Sequence, residues 1–270
     1  MRNYLLVLAA SGLFIGCKKQ PETPPPPPAP LVLLKNVVED RWPSPYYHFE
    51  YDASNKVSLM SFASDYNRYD VVYSGDRITQ MRNNVMENRD RLQYSYNNEG
   101  KVDLIKYVDS TGIVYKTVDL FYDGPRLVKL DHARRSAAGF VPEKTITMSY
   151  NIDGNLMDIT YHFLPFDGIP GGTSTNHFEQ YDNKINVDGF SLVKDEGFNH
   201  QHFFLLPGVQ LQKNNPGKET RTGDGVNYTV DYTYTYNDKN APLTRKGSLV
   251  ILNTNLAGQR SEINSTFSYY

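Results

Sequence analysis

One pattern recurs along this chain and constrains its fold more than any other feature. It reads aromatic-x-Tyr-Asp/Asn, then a polar turn that often holds Gly, then Lys/Arg-aliphatic-x-x-aliphatic. The first copy is Phe49-Glu50-Tyr51-Asp52, a turn through Asn55, and Lys56-Val57-Ser58-Leu59. The second runs from Val71-Val72-Tyr73-Ser74-Gly75-Asp76 to Arg77-Ile78 and Met81. The third is Tyr94-Ser95-Tyr96-Asn97-Asn98-Glu99-Gly100-Lys101-Val102, ending at Leu104-Ile105. The fourth and fifth centre on Phe121-Tyr122-Asp123-Gly124 and on Ser149-Tyr150-Asn151-Ile152-Asp153-Gly154. A shortened copy follows at Tyr181-Asp182-Asn183-Lys184-Ile185, and a last one at Tyr232-Thr233-Tyr234-Thr235-Tyr236-Asn237-Asp238.

The tyrosines at 51, 73, 96, 122 and 150 are spaced by steps of 22 to 28 residues, which marks repeated supersecondary units. Each unit reads as a β-hairpin. Alternation such as Tyr94/Tyr96 puts aromatic rings on one face of a strand. Asp, Asn and Gly then supply a turn, because they tolerate positive φ. The second strand turns its aliphatic residues inward and its Lys or Arg outward. With 21 Tyr and 13 Phe against one Trp, the composition also favours pleated sheet. No long amphipathic helix is expected. The fold class is therefore all-β: an antiparallel meander of hairpins, curling into a roll or partial barrel, over residues 31–270. Closure or a plug would protect its edges from aggregation.

The repeat resembles the YD repeat of the RHS family, and the Tyr-Asp-repeat domains of Bacteroidota lipoproteins of unknown function. The resemblance rests on the Tyr-Asp/Asn, Gly and Lys/Arg-aliphatic positions quoted above and covers roughly residues 46–245. It implies a wound scaffold of hairpins. RHS proteins wind long arrays into a shell around a toxin, and the copies here are too few for that role.

The N-terminus reads as an address rather than structure. Met1-Arg2-Asn3 is a short positive region, and Tyr4 to Ile15 is an apolar stretch of 12 residues. A bilayer-spanning helix needs roughly 20, so the stretch suits a signal peptide instead. It ends in Phe14-Ile15-Gly16-Cys17, which resembles a lipobox. Gly16 supplies the small residue before the cut, and the Cys17 thiol takes up the lipid. Residues 1–16 are thus expected to be a lipoprotein signal peptide. Cys17 is the only cysteine, so no internal disulfide forms. Two or three acyl chains on it, palmitate among them, anchor stably at about 0.8 kcal/mol per buried methylene. Residues 17–30 then form a tether: Pro21, Pro24 to Pro28 and Pro30 favour polyproline II, whose rise of about 3.1 Å per residue reaches about 40 Å.

The formal charge of -2 falls to -3 when Arg2 is removed with residues 1–16 (-2 minus 1). A near-neutral surface without a basic stripe argues against nucleic acid as a partner. Candidate chemistry is sparse. His200 and His202 share a face if they lie on a strand, a workable metal-ligand spacing, but no motif fixes a third ligand, so no metal site is assigned. Asn151 to Asn155 falls where the other copies have turns and reads as a turn rather than a calcium loop. There is no Gly-x-Ser-x-Gly elbow, no phosphate-binding glycine loop and no His-Glu-x-x-His, and no cofactor is implied. Trp42, Tyr46 and Tyr47 form an aromatic cluster that either caps the first hairpin or stacks on a ligand. The pattern breaks at 163–176 and at 186–226, where the apolar stretch Phe203 to Leu206 is read as core or plug.

These readings converge on a non-catalytic, membrane-anchored lipoprotein. It acts as an interaction or structural module in the bacterial envelope, on the outer membrane, with an envelope protein or a glycan as partner. The alternatives are a glycan-binding lipoprotein using Trp42, Tyr46 and Tyr47, and a hydrolase with its site in the 163–226 region.

Overall fold

A computed structural model describes residues 31–85, 90–165, 168, 170–187 and 204–270. Cys17, the proline tether and the His200/His202 pair lie outside the described residues. Val32–Tyr270 forms one unit.

Sixteen strands follow one another around that unit. They are β1 (Leu34–Glu39), β2 (Tyr47–Tyr51), β3 (Val57–Phe62), β4 (Asn67–Ser74), β5 (Arg77–Asn83) and β6 (Arg91–Tyr96). Next come β7 (Val102–Val108), β8 (Val114–Asp123), β9 (Arg126–Ser136), β10 (Gly139–Tyr150) and β11 (Leu156–Phe163). The last five are β12 (Gly172–Glu179), β13 (Lys218–Gly223), β14 (Tyr228–Tyr236), β15 (Pro242–Ile251) and β16 (Arg260–Tyr269). Every sequential pair is antiparallel, and β1 pairs with β16, so the meander closes into a complete barrel. The all-β expectation holds, and closure goes further than a partial roll. The closing register sets Val37 opposite Phe267 and Glu39 opposite Ser265. The described residues hold one helical turn, of three residues, at Thr254–Leu256.

The repeat's turns come in two forms. Gly75 and Gly124, at positive φ, open two-residue turns between Ser74 and Arg77 and between Asp123 and Arg126. In the longer turns the Asp or Asn takes over: Asp52 Oδ1 accepts from the amides of Ser54 and Lys56, and Asn97 Oδ1 from those of Glu99 and Lys101. The fourth turn residue must enter the left-handed region. Gly100 does so at φ +79° and Asn55 at +61°. Just beyond the turn the pairing register shifts at the repeat's tyrosine, at Tyr51 and at Tyr96, which leaves Ser58 and Asp103 as the extra residues of a bulge.

The tyrosine itself reaches the preceding hairpin. Tyr73 Oη donates to the Val57 carbonyl at 3.0 Å, Tyr96 to Ile78 at 2.8 Å, and Tyr150 to Leu127 at 2.6 Å. In each case the acceptor is the first aliphatic residue after the repeat's Lys or Arg. That cation lies over the same ring: Lys56 over Tyr73, Arg77 over Tyr96, Lys101 over Tyr122, and Arg126 over Tyr150. Successive hairpins are thus joined by a hydrogen bond and a cation–π contact in addition to the strand ladder. Tyr122 is the exception, since its buried hydroxyl makes no hydrogen bond.

Inward-facing residues fill the barrel. Ile78, Met81, Leu92, Ile105, Leu127 and Ile146 are fully buried. Phe204, Leu205 and Leu206 join the same core at 1% exposure, so the described part of that apolar stretch packs inside, as a plug does, and Phe203 lies outside the described residues. The outward positions are polar, as with Arg68 and Asp70 on β4, Thr145 and Thr147 on β10, and Thr233 and Thr235 on β14. Of the described strand residues, the large apolar ones left exposed are Phe121, Phe140, Met157 and Leu243.

The breaks in the pattern also contain strands. β12 lies largely within 163–176, and β13 within 186–226. Their inward residues include Ser174, Asn176 and Glu219, so the apolar alternation that betrays a half-buried strand is missing.

Candidate functional site

The polar inward residues of β12 and β13 meet others from across the seam. A cavity of about 280 Å³ lies among β1, β2, β11–β16 and the segment after Leu211. Val37, Phe49, Ile159, Tyr161, Phe178 and Phe267 make most of its wall apolar. Its polar side is built around Arg245 of β15.

Arg245 Nη2 donates to Glu39 Oε1 at 3.1 Å and to Ser265 Oγ at 2.8 Å. Ser265 Oγ in turn donates to Glu39 Oε2 at 2.9 Å. The guanidinium lies 5.4 Å from the Tyr232 ring centre. The barrel encloses Arg245, yet 28% of its side-chain surface stays open because it faces the cavity. Burial works against its charge. The facing Tyr232, Glu39, Tyr234 and Glu219 outweigh that, holding its pKa above the usual arginine value.

Glu219 is held separately. It accepts from Asn176 Nδ2 at 2.7 Å, Tyr228 Oη at 3.0 Å and Tyr232 Oη at 2.7 Å. Burial first, and the Glu219 charge second, push the Tyr232 phenol well above its ordinary pKa, so it stays a donor. One cation and two carboxylates therefore share the wall, each with partners. Among the described residues, Arg245 Nε and Asn176 Oδ1 of this wall are buried and find no hydrogen-bond partner. Such orphans are uncommon in native interiors and call for an explanation.

A second buried charge cluster sits on β8–β10. Lys116 Nζ lies 3.3 Å from Glu143 Oε2, and Arg134 bonds the other oxygen of the same carboxylate. Burial lowers the Lys116 pKa, partly opposed by Glu143. Burial tends to raise that of Glu143, and the two cations overcome it. The described residues contain no group of three or more His, Cys, Asp or Glu side chains placed to hold a metal.

The aromatic trio proposed from sequence stays together in the structure but differs in exposure. Trp42 is 55% exposed, while Tyr46 and Tyr47 are buried. Trp42 rests 5.9 Å from Tyr46, which packs edge-on against both Tyr47 and Phe62. Phe62 also supports the exposed Tyr66 of the neighbouring loop. Tyr47 faces inward and lines the cavity. Sequence reading missed Glu39, Asn176, Glu219, Tyr232 and Arg245 as a group. The available signal was the failure of apolar alternation where pairing demanded strands.

No family model matches the chain, and no curated protein matches it. Two crystal structures share its fold. One is a porin-like protein from Bacteroides uniformis, at 16% identity over 88% of this chain and 95% of that one, with a TM-score of 0.58. The other is a porin-like protein from Bacteroides vulgatus, at 14% identity over 88% and 99%, with a TM-score of 0.57.

Proposed function

We propose that this chain is a lipid-tethered envelope protein, whose barrel works in water as a non-catalytic interaction or structural module beside the outer membrane. The observation that carries the reading is the polarity of the outer strand face. A bilayer-spanning barrel needs an apolar outer band about 25 Å tall. Here Ser, Thr and charged residues occupy outward positions, and the core residues and the Phe204–Leu206 plug fill the inside. Attachment then falls to the lipid on Cys17 and the proline tether. The Bacteroides origin of the porin-like neighbours agrees with an outer-membrane setting.

The test is fractionation of cells fed an alkyne analogue of palmitate. The full chain takes up label and sediments with membranes, while Cys17→Ala loses both label and sedimentation. Retention of unlabelled Cys17→Ala in carbonate-washed membranes would show that the barrel itself inserts, and would reject the reading.

Glycan binding is the second reading, favoured by Trp42 and Tyr66, exposed at 55% and 57% on adjacent loops. Array signal lost on Trp42→Ala supports it, and a blank array rejects it.

A further inference from the structure

The cavity beside Arg245 has the composition of a ligand site and is independent of how the chain is anchored. At about 280 Å³ it falls just under the lower end, about 300 Å³, of common small-molecule pockets. That volume suits a single ring system and is too small for an oligomer. The walls supply aromatic and aliphatic surface from Phe49, Ile159, Phe178 and Phe267.

We propose that this cavity binds a small neutral amphiphile, with a mostly apolar body and one amide- or alcohol-type head. The charge pattern selects the head. Glu39 is already paired with Arg245 and Ser265, and Glu219 with Asn176, Tyr228 and Tyr232. An anionic ligand meets two carboxylates, and a cationic one meets the guanidinium. Entry of either sign also costs desolvation that no free countercharge on this wall repays. A neutral head avoids both penalties.

The polar groups of the wall point the same way. Arg245, with 28% of its side chain open, lines the cavity together with the amide side chains of Asn176 and Gln212, so the wall offers both N–H donors and carbonyl acceptors. An amide carries both complements, a carbonyl oxygen and an N–H, and a hydroxyl carries both in one atom. Asn176 is 3% exposed and sits on β12, one of the two strands whose inward positions break the apolar pattern. Polar residues placed inward on otherwise hidden strands mark a site where local folding rules yield to function.

The test uses the full chain in detergent and three probes with one aromatic body: naphthamide, naphthoate and naphthylmethylammonium. Titration calorimetry should give saturable one-to-one binding of naphthamide, with both charged probes about tenfold weaker or more. Asn176→Ala should weaken naphthamide by about tenfold, the loss expected for one buried polar contact, and Ile159→Trp should abolish binding by filling the space. The ranking of probes on the unaltered protein stands even if a variant fails to fold. Equal uptake of all three probes would mean simple partition into detergent or apolar surface and would overturn the proposal. So would the absence of saturable naphthamide binding, or unchanged binding in both folded variants.

Discussion

Lys56 and Tyr73 belong to successive hairpins, yet the Lys56 ammonium lies 5.5 Å from the centre of the Tyr73 ring. The same ring's hydroxyl bonds the Val57 carbonyl next to that lysine. One aromatic residue thus engages its neighbour through both its face and its tip. The arrangement recurs at Tyr96 and Tyr150.

The recurrence allows an internal control. Tyr96→Phe should destabilise the barrel by about 1 kcal/mol, the usual net value of one hydrogen bond. Tyr122→Phe should cost close to nothing, because the Tyr122 hydroxyl is buried without a hydrogen bond. Urea midpoints at equal m-values check the pair. Equal losses would show that the hydroxyl contact is not what joins the hairpins.

Alkaline pH should unfold the protein through the same residues. Burial, with a smaller push from Asp52, raises the Tyr73 pKa from 10.0 to about 12. Burial likewise raises that of Tyr150 to about 12. The folded state therefore keeps these protons after the unfolded chain has released them. Their contribution is complete below about pH 10 and disappears as pH rises towards 12. Stability by urea titration should fall across that window, with the tyrosinate absorbance of the buried residues appearing together with unfolding. Ionisation of the full set of tyrosines near pH 10 in a protein that remains folded would contradict this.

Arg245→Met should be among the more damaging changes in the seam. It leaves the Glu39 carboxylate beside an apolar cavity with Ser265 alone, at a cost on the order of 3 kcal/mol. Pairing it with Glu39→Gln removes the stranded charge and should recover a large part of the loss. A double-mutant cycle in thermal melts reads the coupling, and additive losses would mean that the two groups do not interact.

Leu205→Ala tests the plug. A fully enclosed leucine costs about 2–5 kcal/mol on truncation, depending on how far its surroundings collapse. A loss below about 0.5 kcal/mol is typical of a surface position and would mean that 204–206 merely lies against the barrel.

The hairpins were legible because each carries its own local signals. The Asp52 and Asn97 turns and the Tyr94/Tyr96 alternation sit within a few residues of one another. β12 and β13 were not legible, since Ser174, Asn176 and Glu219 face inward and imitate a loop. Their pairing with each other joins positions as distant as Glu179 and Lys218, which no local window contains. The cavity was hidden for the same reason: Glu39 and Arg245 are 206 residues apart in sequence. Tyr47 was singled out as a ligand contact. It does line a cavity, but from the inner side of the sheet.

The β1–β16 seam also sets the order in which the molecule can be completed. Every other pairing joins strands that are consecutive in the chain, whereas the seam joins partners as distant as Glu39 and Ser265, 226 residues apart. The entropy of bringing such ends together grows only with the logarithm of their separation, but it is spent in one step. Until β16 arrives, both flanks of the growing sheet stay open, and half of the Arg245 network is missing. Assembly therefore has a natural last event, and a chain cut short before Arg260 would be left as an unclosed ribbon with two adhesive margins.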